Sequence, residues 1–157
     1  PLFRNPLSAI KAIGTLKRIA RFYDPNRVVR ESLLVVLRAG LETLTVYLNH
    51  HPMFHGLFSD FSDELITFNL SDSGSLGWLS RSSEGVFSAG TESVSGKPSV
   101  ELTFLSQDIA FAGLSKGIDQ LGATAAGEVM IQGRLPLMDK IGYVSRIAQR
   151  EVPMPAL

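Results

Sequence analysis

Apolar residues recur first at helical spacing. Leu7, Ile10, Ile13 (or Gly14), Leu16 (or Lys17), Ala20 and Tyr23 fall three to four residues apart, which predicts an amphipathic helix over 6–23. Asn5 suits its N-cap, and Pro6 suits a first helical position that needs no N–H. Asp24-Pro25-Asn26 breaks the pattern. Apolar positions at 34, 37, 41, 44 and 48 then predict a second amphipathic helix over 27–49, ended by His50-His51-Pro52.

Beyond a Phe-rich connector at 53–61, the period changes to two. Ile66, Phe68 and Leu70 alternate with Thr67, Asn69 and Ser71, the signature of a half-buried strand. A turn at 74–77, the run Trp78-Leu79-Ser80-Arg81, a turn at 82–85 and Val86-Phe87-Ser88-Ala89 predict a hairpin. Residues 90–98 are polar and rich in Gly and Ser, hence a loop, and Val100, Leu102 and Phe104 alternate again. Ser106 caps a helix striped by Phe111, Leu114, Ile118 and Leu121, whose end Gly117 and Gly122 loosen. A small-residue turn at 123–127 leads into a strand over 128–137, with Val129, Ile131, Gly133, Leu135 and Leu137 on one face. A last amphipathic helix over 139–152 carries Ile141, Val144 and Ala148. Two helices, three or four antiparallel strands, a helix, a strand and a helix argue an α+β domain.

Composition narrows the chemistry. The 157 residues suit one domain, and 45% apolar content fits a packed globule. The absence of cysteine excludes a disulfide scaffold, thiolate zinc, iron–sulfur clusters and thiol catalysis. Fifteen basic and fifteen acidic residues cancel, but unevenly: residues 1–40 hold eight Lys/Arg against Asp24 and Glu31. Lys11, Lys17, Arg18 and Arg21 form a cationic flank on the first helix, suited to anionic lipid headgroups. Nucleic acid is not expected there, because aromatic residues are not interleaved with the basic ones as stacking platforms. The start lacks a signal-peptide layout, and Arg30, Glu31, Arg38 and Glu42 interrupt 28–48 as a bilayer span. Those features predict a cytoplasmic protein that touches membrane peripherally.

Three motifs suggest chemistry and lack its context. Gly113-Leu114-Ser115-Lys116-Gly117 matches G-x-S-x-G, but Ser115 falls inside a predicted helix and every histidine precedes it. His50, His51 and His55 could share a metal on a helix, but Pro52 disrupts that geometry. Gly90 to Gly96-Lys97 has one residue too many for a phosphate loop, and Pro98 replaces the magnesium-binding hydroxyl. No catalytic residue, metal site or cofactor is therefore expected.

From Ile66 onward the chain resembles the sterol carrier protein type 2-like, or lipid-transfer, family. The resemblance runs through the hairpin from Gly77-Trp78 to Gly90 and the loop Gly96-Lys97-Pro98. It continues in the strand Val100-Glu101-Leu102-Thr103-Phe104, running into a helix capped at Ser106 and Asp108. It ends in Gly127-Glu128-Val129-Met130-Ile131-Gln132-Gly133-Arg134-Leu135 and a final helix from Met138. Residues 120–124 depart from it, lacking a Pro and a bulky aromatic before the last strand. The resemblance implies a mixed sheet of about five strands with helices on one face, preceded by two amphipathic helices. It divides the chain into a helical extension, 1–62, and a lipid-binding domain, 63–157, within one compact unit.

The same resemblance implies non-catalytic carriage of a fatty-acyl, isoprenoid or sterol-like lipid in an internal cavity. The alternative it implies is an accessory subunit presenting lipid-like intermediates, such as quinone precursors, to enzymes. The expected lining is Phe104, Phe111, Leu114, Met130, Ile141 and Val144, with Trp78 near one edge. Expected partners are a lipid ligand, an anionic membrane surface, and a protein partner or second copy of the chain.

Overall fold

The structure, a computed structural model, describes residues 30–54, 56–116 and 120–151. The expected helix over 6–23, with Lys11, Lys17, Arg18 and Arg21, lies outside them. So do His55 and the side chains of Ser115, Ile118 and Leu121.

Helix α1, Arg30–His50, buries Leu33, Val36, Leu37, Leu41, Leu44 and Leu48 on one face. Glu31 in its first turn opposes the positive end of the helix dipole. Thr43 and Thr45 sit inside it with their hydroxyls donating to carbonyls one turn back, at 2.8 Å each. Pro52 cannot extend the α pattern, and a one-turn 3₁₀ helix, Pro52–Phe54, follows.

Five strands form one sheet in the order β3-β2-β1-β4-β5. They are β1 Glu64–Leu70, β2 Gly74–Arg81, β3 Phe87–Gly90, β4 Val100–Phe104 and β5 Val129–Gly133. Residues 74–77, expected in a turn, belong to β2, where the register shifts between Phe68 and Asn69. β4 runs parallel to β1 rather than antiparallel, because the loop over 91–99 carries the chain back to the start of β1. There the Ser99 N–H donates to the Leu65 carbonyl at 2.7 Å, and the Arg134 N–H donates to the Ser99 carbonyl at 2.9 Å.

Pairing register puts Ile66, Leu79, Val100 and Phe68, Leu102, Ile131 in rows on one face. Helices α1, α2 (Gln107–Lys116) and α4 (Leu135–Glu151) cover that face, while short α3, Gln120–Ala125, lies by β5. Ser106 caps α2 as expected: its Oγ accepts from the Ile109 N–H at 3.3 Å. Leu33, Leu37 and Leu41 share a single core with the sheet, so α1 is built into the domain.

Two glycines make close approaches. A Cβ at Gly77 would stand 2.7 Å from the Gly90 carbonyl oxygen and 3.2 Å from Leu37 Cδ2, so its absence lets α1 settle on β2. Gly133 has φ +105°, and a Cβ there would lie 2.1 Å from the Ser99 carbonyl oxygen. That turn ends β5, and Pro136 fits the first turn of α4. Leu135 and Leu137, expected in the strand, therefore belong to α4, with Leu137 buried.

Candidate functional site

Phe104 closes β4, Phe111 lies midway along α2, and Ile141 and Val144 point inward from α4. All four are buried in one apolar cluster beneath the helices, with Leu114 packed half-buried against it. The sequence stripe on each helix and the alternation in β4 deliver these side chains to the same layer.

Trp78 and Met130 take the other face. Trp78 pairs with Thr67, and Met130 with Thr103, one residue out of phase with the core-facing Leu79 and Val129. The side-chain period of two sends both away from the helices. Met130 is 54% exposed, and Gln132 Nε2 donates to its sulfur at 3.3 Å. Trp78 is half-buried, and its enclosed indole N–H and the Thr67 hydroxyl beside it have no hydrogen-bond partner among the described residues.

Ionisable groups gather at one end of the sheet. Among the described residues, Glu64 is the buried charged side chain, 3% exposed. Arg134, between β5 and α4, pairs with it and satisfies its charge. Arg81, opposite Glu64 across the strand pair, donates to the Phe61 carbonyl and lies over the Phe87 ring at 5.7 Å. Lys140 stands 4.7 Å over the Phe61 ring and 3.6 Å from the Asp60 carboxylate. Glu64 is in phase with Ile66, so strand parity alone foretold that it points inward; its arginine partner had no such signal.

A hollow of about 380 Å³ opens at this end, lined by Asp63, Glu64, Leu65, Ser80, Arg81 and Ser88 among others. Leu65, Ser80 and Ser88 alternate with the core residues, which sets the hollow on the far face, away from the apolar layer.

At the C-terminal end of α1, Tyr47 donates to Glu151 Oε2 at 3.0 Å and stacks on His51 at 5.7 Å. Its hydroxyl is held above the usual tyrosine range, first by loss of solvent and then by the Glu151 carboxylate. His51 also accepts from the Met53 N–H at 3.3 Å through Nδ1. Among the described residues, no three acidic or imidazole groups stand together as a metal site. No described helix is long and apolar enough to cross a membrane.

No family model and no curated protein matches this chain. Solved structures do. The UbiJ-SCP2 ubiquinone synthesis protein superposes with a TM-score of 0.54 at 15% identity, covering 73% of this chain and 96% of that one. The sterol carrier protein domain 2 of Helicoverpa armigera gives 0.51 at 18% identity, over 72% and 87%. The α+β architecture with its five-stranded mixed sheet is the sterol carrier protein type 2-like fold.

Proposed function

We propose that the protein binds and carries an apolar or amphiphilic lipid between the core face of the sheet and helices α1, α2 and α4. No bond is made or broken; the guest partitions. Each buried methylene contributes about 0.8 kcal/mol, so a fatty-acyl or isoprenoid chain needs no special chemistry to be held. The observation that carries this reading is an apolar layer in a sterol-carrier fold whose ionisable groups stand at its rim.

The residues proposed to touch the guest are Phe104, Phe111, Leu114, Ile141 and Val144. Trp78 and Met130 are left out because they share the far face of the sheet. Leu114, the half-buried member, marks the edge where the layer opens most readily. The guest enters by displacing side chains there, with its polar end left at the rim.

Native mass spectrometry of the purified full chain, with uptake of a fluorescent fatty-acyl probe, tests this. A co-purified lipid or saturable uptake is expected. A clean apo mass together with no uptake would overturn it.

A second reading is favoured by the role of one structural neighbour, a ubiquinone synthesis protein. In it the chain is an accessory subunit that presents quinone precursors to enzymes. Charge reversal at Arg18 and Arg21 separates the two. Loss of a protein partner with lipid uptake intact supports the accessory role, whereas loss of vesicle binding supports the carrier.

A further inference from the structure

We infer that the C-terminal half of α4, together with the turn after α1, is a docking surface for an anionic lipid bilayer. Met53 is 61% exposed and Tyr143 is 45% exposed. The two are joined through Phe54, whose buried ring meets the Tyr143 ring edge-on at 6.3 Å. Phe54 in turn packs on His51 at 4.9 Å, so a rigid aromatic cluster supports the outward side chains. An amphipathic tyrosine and a flexible methionine on a firm base match the headgroup boundary, where one end of a side chain is apolar and the other wet.

Charge selects the partner. Tyr143, Arg146 and Arg150 sit at i, i+3 and i+7, on one exposed face of α4. Neither arginine has an ion pair among the described residues. The neighbouring acid, Glu151, accepts a hydrogen bond from Tyr47 toward α1. Asp139 lies on the same stripe one turn before Tyr143, at the end away from the arginines. The exposed apolar pair Leu105 and Met130 offers no such match: Leu105 bonds the backbone of acidic Glu128, and no cation stands beside it in β5. Cations with no ion pair among the described residues, beside an exposed Tyr–Met pair, fit anionic headgroups by charge and by polarity.

This surface shares no residue with those proposed to touch a lipid guest. Its test uses the full chain and vesicles of phosphatidylcholine with about a third phosphatidylserine. Binding is expected there, and not on pure phosphatidylcholine. The pair Arg146→Gln and Arg150→Gln should weaken it about 25-fold, roughly fivefold for each charge. Met53→Ser with Tyr143→Ser should weaken it about tenfold, with circular dichroism and fatty-acyl uptake unchanged. Wild-type vesicle affinity in the double arginine variant, or equal binding to neutral vesicles, would overturn the assignment. Vesicle binding that depends on Arg146 and Arg150 in a chain that takes up no lipid would sustain this surface and remove the carrier reading.

Discussion

The two faces of the sheet are built from alternate residues of the same strands, yet they differ in almost every physical respect. One face, carrying Ile66, Phe68, Leu102 and Phe104, is covered by three helices and buried. The other carries Thr67, Asn69, Ser80, Ser88 and Glu101, with Asn69 Nδ2 donating to Glu101 across strands at 2.8 Å. Their difference teaches where a hydrocarbon guest and a polar one would each be stable. Apolar area removed from water stabilises the helix-covered side, while the far side mixes hydroxyls and carboxylates with Leu65, Trp78 and Met130 and is at most half-buried.

The strongest way to break this contrast is to destroy the turn that keeps β5 in phase. Gly133→Val combines a left-handed backbone with a clash against the Ser99 carbonyl. It should cost more than about 3 kcal/mol and leave little folded protein, as read by thermal unfolding. Cavity formation comes next. Phe111→Ala, on the covered side, should cost about 3–5 kcal/mol in urea unfolding. Met130→Ala, on the far side, should cost under about 0.5 kcal/mol. Equal losses would erase the distinction between the faces.

A smaller effect belongs to the sheet edge. Asn49 at the end of α1 donates to the Phe87 carbonyl at 2.9 Å and accepts from its N–H at 2.8 Å, closing edge strand β3. Asn49→Ala should cost about 1–3 kcal/mol, and the Phe87 amide should exchange faster. The smallest effect is at high pH. Tyr47 has a raised pKa in the folded state, so folding favours its neutral form. That contribution is fully present below the ordinary tyrosine value near 10 and is lost as pH rises through the folded value. Tyr47→Phe should flatten the alkaline limb of stability measured against pH.

Much of this is legible in the chain. Alternation at Ile66, Phe68 and Leu70 and the helical stripe at 34, 37, 41, 44 and 48 predict elements that the fold contains, although Leu33 and not Leu34 is the fully buried leucine at the start of α1. Ser106 announces its cap. What the pattern does not carry is parity in strands that are apolar on both sides. Val129 and Ile131 share one face and Met130 takes the other, but both faces are apolar, and only the pairing of Val129 with Phe104 and Met130 with Thr103 decides which of them meets the helices. The size of Trp78 favours an interior place, although its neighbour Leu79 holds the inward position. The parallel pairing of β4 with β1 is non-local, so no local period encodes it. Tyr143 and Met53 stand out only once burial separates exposed apolar residues from core ones.

Where the lipid sits is read most directly by titrating a spin-labelled stearic acid into methyl-labelled protein and following which resonances broaden. Lipid held beneath the helices should broaden the methyls of Leu114, Ile141 and Val144 and spare that of Met130. Broadening confined to Met130 and its far-face neighbours, or none at saturating stearate, would contradict carriage beneath the helices.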